Sequence, residues 1–585
     1  RFTKENFSAI LRVNLPEVTL DFSAKTTLNN ILHFTGFELR YILKNWLFIV
    51  IFCVAVLFLF LVFFTLGVIF GTKTLPLTST LLSGANVVNL FINALTFLFA
   101  GLLIHRGTLS RMNLLVDSTP TSNFALVAPK FLALILMQAA VLFAVIIAGV
   151  GYQAINGFTD FELDKYFFHL YGIVWINQII WACLALFVQS WVRNYLIGFF
   201  ILLATSIVLT FLPSMGVEQI IFLFNEDPGY AYSNLDGYGA TLPPYFLYKV
   251  YWLLLGSVLL LIGFGLYRRG ISSNAKERLQ NFKRTFTKPI AVACSLFLFG
   301  FVGLGGKIYY ENNIREKRKT ALEFEKEAVL WEKKYKKYEN TQQPRIVEVN
   351  VNLEIYPETR DFVAKGKYYL KNKSGQPIDT LIINYQKGTT YTSAEKWQKI
   401  SIDTVLNFDI LKLEKALAPG DSLLFEFTMK NKPNTIFNSD SPILYNGTFI
   451  NNGMFPSFGY NDGGEITDND LRKKYNLPPK DRMPSPYDMK ARQNTYISSD
   501  SDWIRFQATI GTAGDQIAIA PGYLQKQWKE KGRNYFHYKM DQKMLNFYAF
   551  NSGRYEVLRD KWKNVNIEIY YHKDHTYNLD RMVKG

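Results

Sequence analysis

Zinc chemistry and hydrolysis need histidine, cysteine and carboxylate side chains at fixed spacings, and this chain of 585 residues offers few of them. Only two of its six histidines lie close together, His572 and His575, in the segment His-Lys-Asp-His. Zinc proteases place histidines at i and i+4 of a helix with a glutamate beside the first, and that pattern is missing. Cys53, Cys183 and Cys294 all lie in apolar runs and make no disulfide framework or metal site. We therefore expect no catalytic residue and no metal ligand in this sequence.

Motifs for nucleotide, calcium and serine-hydrolase chemistry are also missing. No G-x-x-x-x-G-K-[ST] loop occurs, so we expect that this chain is not its own ATPase. The acidic segment Asn461–Asp470 lacks the ligand spacing and closing glutamate of an EF-hand, which favours a solvated loop. No G-x-S-x-G nucleophile elbow is present.

Three asparagines recur along one apolar stretch. Asn86, Asn89 and Asn93 stand at i, i+3 and i+7, so they would share one face of a helix. Amides in lipid must find partners, so this face is expected to point into a helix bundle. It would either line a substrate path or supply hydrogen bonds between helices.

One basic loop contains both polar and strongly apolar residues. It reads HRGTLSRMNLLVDSTPTSNFALVAPKFLA, from His105 to Ala133. Pro120 and its Ser/Thr neighbours interrupt any continuous helix, while Leu109, Leu114 and Leu115 need a surface to pack against. The loop therefore predicts a docking site.

These residues must be positioned by a chain whose two halves differ in composition. The formal net charge is +16, and hydrophobic residues make up 49% of the sequence. Long apolar runs dominate up to about residue 310, whereas charged and alternating sequence follows. Seven stretches approach the roughly 20 apolar residues that a membrane-spanning helix needs: Trp46–Phe70, Ala85–Ile104, Phe131–Val150, Tyr171–Val192, Tyr195–Leu212, Val250–Tyr267 and Ile290–Gly306.

The distribution of lysine and arginine predicts the orientation of these helices. Basic residues concentrate in alternate loops, around Arg40, Arg106, Arg193 and Arg268, and the intervening loops are acidic. Basic loops stay in the cytoplasm. With seven spans and a cytoplasmic start, everything after Tyr309 is expected outside, in a multi-pass membrane protein.

The outer half predicts a helical stalk followed by β-structure. Phe324, Ala328, Trp331, Tyr335 and Tyr338 form one apolar stripe, which would pack on the domain above or on a second copy. Apolar residues alternate with polar ones over 347–355, 423–429 and 504–510, the period of half-buried strands. The fold class is therefore a polytopic all-α membrane bundle followed by an all-β antiparallel sandwich.

The basic loop resembles the segment between the second and third spans of type-2 ABC exporter permeases. In that family a Gly-Thr-Leu element and a Leu-Leu…Ser-Thr-Pro segment form a coupling helix that docks on the ATPase subunit. The resemblance covers residues 27–270 and implies an ATPase subunit, and a second permease half or copy, as partners. It implies the coupling role for Arg106, Gly107, Thr108, Leu109, Leu114, Leu115, Ser118, Thr119 and Pro120.

The outer half resembles the N-terminal saddle-shaped β-domain of the aminopeptidase-N family of zinc peptidases. The residues that carry this likeness are VNLEIYPETRDFVAKGKYYLKNKSGQPIDTLIIN, LAPGDSLLFEFTM, GMFPSFGY and LNFYAFNSGRYEVL. The whole chain is similar to bacterial fusions of an ABC permease with such a peptidase. Zinc is then expected only if a catalytic domain follows Gly585.

Together these patterns divide the chain and leave three functions open. The expected parts are a lead-in with an interfacial helix (1–45), a permease-like six-helix unit (46–270), a basic loop and seventh helix (271–310), a stalk (311–344), the β-domain (345–562) and the start of a truncated catalytic domain (563–585). The chain would be a transporter permease component. The alternatives are a membrane-anchored zinc aminopeptidase and a noncatalytic peptide-binding or scaffolding ectodomain. Nucleic acid is not expected as a partner.

Overall fold

The computed structural model describes residues 23–119, 121–269, 275–433, 441–480, 483–489, 491–493 and 500–585. It divides into two compact units. The first contains the helices up to Phe211 together with Lys249–Leu304, and the second contains Leu212–Tyr248 and Gly305–Gly585.

The first unit is helical, and the second adds a few helices to its strands. The helices are α1 Ala24–Leu43, α2 Trp46–Leu66, α3 Thr78–Ala85, α4 Val88–Leu109, α5 Asn113–Asp117, α6 Asn123–Ile155, α7 Leu163–Phe167, α8 Trp175–Trp191, α9 Tyr195–Phe211, α10 Leu242–Leu266, α11 Ala275–Thr285, α12 Lys288–Tyr309, α13 Ala321–Tyr335, α14 Asn469–Lys474 and α15 Leu579–Lys584. A π-helical turn, Phe168–Val174, joins α7 to α8, and a second one, Tyr310–Arg315, continues α12.

Among the described residues, six helical segments are long and apolar enough to cross a membrane. They are Trp46–Leu66, Val88–Leu109, Asn123–Ile155, Leu163–Trp191, Gly239–Leu266 and Lys288–Arg315. The sequence predicted seven. The remaining stretch forms α9, whose 17 residues rise about 26 Å and stand at the lower end of the roughly 17–25 residues of membrane-spanning helices.

The first two predicted spans begin or end differently from expectation. The first apolar helix ends at Leu66, and a small hairpin of Val68–Ile69 (β1) with Thr72–Lys73 (β2) replaces its last residues. The second predicted span, Ala85–Ile104, begins three residues later than expected, because α3 ends at Ala85 and α4 begins at Val88.

The predicted interfacial helix is α1, which packs along α6. Its buried face contains Ile31, Thr35, Glu38 and Ile42, while Leu28, Leu32 and Phe37 are exposed on the other side. The buried face of α1 therefore has two polar residues, Thr35 and Glu38, at its centre, whereas its exposed face is apolar. An exposed apolar face is typical of helices at a membrane surface.

The second unit is built on β-sheets. Its strands are β3 Arg345–Tyr356, β4 Asp361–Lys371, β5 Ile378–Asn384, β6 Thr389–Ser393, β7 Trp397–Asp403, β8 Phe408–Leu417, β9 Ser422–Asn431, β10 Thr448–Asn451, β11 Ser457–Phe458, β12 Ser501–Thr512, β13 Ile517–Ile519, β14 Tyr523–Glu530, β15 Arg533–Lys539, β16 Ala549–Gly553, β17 Glu556–Trp562 and β18 Val565–Tyr571. The largest sheet has the order β14-β15-β12-β3-β4-β9-β6, and smaller sheets are β11-β5-β8-β7, β10-β16-β13 and β17-β18.

The expected antiparallel arrangement needs one correction. Most neighbours are antiparallel, but β12 runs parallel to β3 in the middle of the seven-stranded sheet. A parallel pair requires a long crossover connection, and the chain between β3 and β12 supplies one. The sheet is therefore mixed.

The predicted alternation in the first strand holds from Val349 to Ile355, where every second side chain is buried. Before that point, Ile346 is buried instead of Val347, because the β3–β4 register shifts between Ile346 and Glu348. A bulge of this kind moves side chains to the opposite face.

The stalk is a separate helix that packs on the β-strands of its own unit. Lys317 has a φ of +47°, and α13 then starts from a capping box in which Thr320 and Glu323 bond reciprocally. Trp331 and Tyr335 stack against Phe408 at ring-centroid distances of 4.9 and 3.9 Å. Of the predicted stripe, Phe324 alone stays mostly exposed.

The segment between α9 and α10 also belongs to this unit. Asn446 donates its side-chain N–H to the carbonyl of Leu235 at 2.6 Å, and its Oδ1 accepts the N–H of Arg554 at 2.7 Å. Gly447, at a φ of +85°, lies against the Leu235 side chain so closely that a Cβ would overlap it.

Candidate functional site

The predicted docking loop forms at the end of α4. Arg106, Gly107, Thr108 and Leu109 are the last residues of α4. Leu114 and Leu115 lie in the short helix α5, which Ser118 and Thr119 follow. Their hydroxyls donate to the carbonyls of Leu115 and Val116 at 2.8 and 2.7 Å. Pro120 lies outside the described residues.

An ion-pair cluster fixes the first end of this loop. Arg106 Nη1 lies 2.6 Å from Glu38 Oε2, and Lys130 Nζ lies 2.7 Å from Glu38 Oε1. The Arg106 guanidinium also covers the rings of Phe37 and Tyr41 at 4.8 and 4.4 Å. Because Glu38 is buried, these charge-assisted bonds are stronger than bonds at an open surface. They join α1, α4 and α6 at one point.

The second end of the loop is held by α10 and the residues after it. Arg269 donates to the carbonyls of Thr121 and Thr119, each at 2.5 Å. Asn123, at the start of α6, donates to the Phe264 carbonyl at 3.4 Å. Sequence reasoning missed Arg269 and Glu38, because neither belongs to the loop motif.

Between these anchors the loop presents apolar side chains outward. Leu114 and Leu115 are 55% and 64% exposed. Leu109, Met112 and Val116 are exposed beside them. A loop that is anchored at both ends and exposes an apolar helix is typical of an interaction site. We call Leu109, Met112, Leu114, Leu115 and Val116 the α5 patch.

The three predicted asparagines lie on either side of the junction between α3 and α4. Asn89 and Asn93 lie on α4, whereas Asn86 caps the end of α3 and lines the same small cavity as Asn89. Asn89 Oδ1 accepts from Gln178 at 3.2 Å, and Gln138 donates to Thr96 and to the Gln178 carbonyl at 3.0 and 3.1 Å. Gln138 and Gln178 are fully buried. The amides thus join α4, α6 and α8.

The second unit brings no metal ligands together among its described residues. His572 and His575 have ring centroids 5.0 Å apart, and His572 Nδ1 lies 3.7 Å from Asp574. Within the described ranges, no group of three or more His, Cys, Asp or Glu side chains has a metal-binding arrangement. These residues do not fit the zinc of the resembled family.

Charged residues on α13 attach it to the loops of the β-region. Arg472 forms a paired contact with Glu332 at 2.9 and 2.6 Å, and both side chains are almost fully buried. Glu465, in the acidic segment predicted to be a solvated loop, is buried and lies 3.1 Å from Lys336. Burial raises the pKa of Glu465, but hydrogen bonds from Tyr460 and Lys336 lower it below its usual value.

Comparison with known proteins adds little to this geometry. No protein-family model matches the chain, and no curated protein matches it. Its neighbours among solved structures include M1 zinc metallopeptidase chains from Deinococcus radiodurans. One has 9% identity and a TM-score of 0.25, covering 39% of this chain and 47% of that one. A mutant bound to a Tyr-Ser-Ala substrate has 9% identity, a TM-score of 0.24 and the same coverage.

The chain spans about half the length of these metallopeptidase chains. Similarity at this level carries no argument about activity.

Proposed function

We propose that the chain is a permease component of an ABC-type transporter, with its β-region on the extracytoplasmic side of a bacterial cytoplasmic membrane. The observation that carries this proposal is the α5 patch, held between two sets of polar anchors. Its partner is a nucleotide-hydrolysing subunit that binds ATP, and a second permease half or copy completes the transporter.

The construction of the loop supports a docking role. An apolar helix of five residues is too short to be stable alone, and its side chains contribute little to the packing of its own unit. Glu38, Arg106, Lys130 and Arg269 nevertheless hold its flanks. Rigid presentation of apolar side chains lowers the entropic cost of binding a partner.

The position of the loop among basic residues supports a cytoplasmic partner. Arg106, Arg111 and Lys130 flank the α5 patch in sequence, and Arg269 binds the carbonyls of Thr119 and Thr121 just after it. Basic loops beside membrane helices face the cytoplasm, where ATP is available.

The test is retention of ATPase during purification. The tagged chain would be expressed in its own host and extracted in mild detergent, with ATP hydrolysis and the identity of the hydrolysing subunit measured in the eluate. Leu114→Asp combined with Leu115→Asp should lower the retained ATPase about tenfold or more, because two leucines that would be buried against the partner are replaced by charges. The matched control is Ile400→Asp with Leu524→Asp, two exposed apolar positions of the second unit. Equal ATPase retention in both variants would overturn the proposal.

A membrane-anchored peptidase is the second candidate. It is supported by the segments that resemble aminopeptidase N, since Val351–Asn384 forms the successive strands β3, β4 and β5. Zinc would then be held by a domain after Gly585. Stoichiometric zinc and release of amino-terminal residues from peptides by the full gene product would support it, and their absence would favour a noncatalytic ectodomain.

A further inference from the structure

A cavity of about 320 Å³ lies in the second unit, apart from the loop discussed above. Its wall contains Trp331 of α13, the residues after β5, the turn before β8 and the segment around β11. All of these parts belong to one compact unit. The volume lies near the lower end of the range for small-molecule sites, about 300–1,000 Å³.

The described residues that line this cavity are uncharged. They include four side-chain amides, those of Asn384, Gln386, Asn407 and Asn461, and the hydroxyl of Ser457. A charged ligand would lose its hydration without gaining an ionic partner, which is strongly unfavourable. The free ends of a peptide, a phosphate and a metal ion are therefore poor occupants.

Aromatic side chains form the apolar part of the wall. Trp331, Tyr385 and Phe455 line the cavity beside the amides. Sites of this kind combine a hydrophobic surface with a few placed polar groups that fix orientation. A sugar ring has the matching surface, because its C–H face is apolar and its edge carries hydroxyls that both donate and accept.

Two lining residues have polar atoms without a hydrogen-bond partner in the described part of the chain. These atoms are Asn384 Oδ1 and Trp331 Nε1, an acceptor and a donor. The Asn384 amide is fixed, since its Nδ2 donates to the Gly459 carbonyl at 2.6 Å. Both atoms lie beneath the accessible surface of the wall, so the more accessible amides of Gln386 and Asn407 are the groups that a ligand with hydroxyl groups would reach.

The nearby strand edge is a poor site for the middle of a peptide. Extended peptides bind by adding a strand to a sheet edge. Here the edge strand is β11, which has only two residues, Ser457 and Phe458. Main-chain pairing along it would be very short.

We infer that this cavity is a binding site for a small neutral carbohydrate, such as a mono- or disaccharide. The amides of Gln386 and Asn407 hydrogen-bond to its hydroxyls, and the aromatic wall packs against its ring. This site is independent of the transport proposal, since it uses none of the residues of the α5 patch.

The chain offers well-matched variants for a test. Asn407 has a φ of +51°, so Asn407→Gly removes the amide while keeping a backbone conformation that glycine adopts freely. Gln386 is exposed, so Gln386→Ala leaves the core intact. The control pair is Asn476→Gly, at a φ of +55°, with Gln398→Ala, an exposed residue of β7. Both control residues lie outside the cavity lining.

Binding would be measured by calorimetry on the full chain in lipid nanodiscs, because glycoside detergents would compete. The probes are maltose, cellobiose and chitobiose, with the blocked peptide acetyl-Ala-Ala-Ala-amide as the comparison. At least one disaccharide should bind, and Gln386→Ala with Asn407→Gly should weaken it about tenfold or more, while the control pair leaves it unchanged. Absence of disaccharide binding, preference for the peptide, or equal affinity in the cavity variant would overturn the inference.

Discussion

Asp403 joins the stalk helix to the β-region through an unusually well-bonded carboxylate. Its Oδ2 accepts from Lys334 Nζ and from the Tyr335 hydroxyl, each at 2.6 Å, and its Oδ1 accepts from the Leu406 N–H at 3.0 Å. Burial raises the pKa of Asp403, but these hydrogen bonds outweigh it and lower the pKa to about 2. The folded state therefore stabilises the ionised form of Asp403 relative to its protonated form.

Stability that depends on Asp403 should be lost in acid. An unfolded aspartate titrates near about 3.9, so the contribution is complete above that pH and disappears as the pH falls towards about 2. Asp403→Asn should destabilise the second unit at pH values near neutrality, with a difference from wild type that shrinks in acid. Denaturant unfolding of the full chain, followed by tryptophan fluorescence, measures this. Asp515→Asn, which changes an exposed ion pair with Arg554, is the control and should show a small difference at every pH.

The buried ion pair of Arg472 and Glu332 should contribute more to the stability of the second unit than an exposed ion pair does. Removing one partner leaves the other charge buried and unpaired, which costs about 3–5 kcal/mol. Glu332→Ala should lower the free energy of unfolding by about that amount. Glu426→Ala breaks the exposed contact with Lys367 and should change it by about 0–1 kcal/mol. Similar effects from the two substitutions would contradict the importance of burial.

Single residues show where sequence reasoning succeeds and where it stops. The grouping of Leu109, Leu114 and Leu115 was predictable, because apolar residues in a short basic loop cannot be satisfied locally. Glu38 was not, since it is 68 residues from Arg106 and only packing of α1 on α6 brings them together. Gln138 and Gln178 could have been noticed as isolated amides in apolar runs.

At the scale of elements, the ion-pair cluster is expected to control how firmly the loop is held. Glu38→Gln removes the shared anion and leaves Arg106 and Lys130 close together. Amide hydrogen exchange within residues 110–119 should then become about tenfold faster or more, which corresponds to about 1.4 kcal/mol. Glu311→Ala, which breaks the helical pair with Arg315, is the control. Unchanged exchange in Glu38→Gln would show that other contacts hold the loop.

Element types followed from sequence period, but several ends and pairings did not. Apolar runs and strict alternation predicted α2, α6, β3 and β9 because each pattern extends over many residues. The break at Asn86–Val87 has no proline or charge to mark it. The parallel pairing of β12 with β3 is set by long-range topology, which a local period does not encode.

At the scale of the whole molecule, the sidedness of the two halves remains a prediction from basic residues. In a variant with Cys53, Cys183 and Cys294 replaced by alanine, single cysteines would be introduced at Ser110 and Lys365. Both positions are exposed. A membrane-impermeant maleimide should label Lys365→Cys in intact cells and Ser110→Cys only after permeabilisation. Labelling in the opposite order would place the β-region in the cytoplasm.

The hydrogen bond between Asn446 and Leu235 has a consequence for the connection between α9 and α10. Leu235 lies on the segment that leaves α9 and enters α10, so the same stretch of backbone is continuous with two apolar helices and is hydrogen-bonded to the strand region. The backbone at Gly447 packs directly against Leu235, because the Leu235 side chain fills the space where a Cβ would stand. The connection between the two helices is therefore fixed to the strand region of its own compact unit at this point.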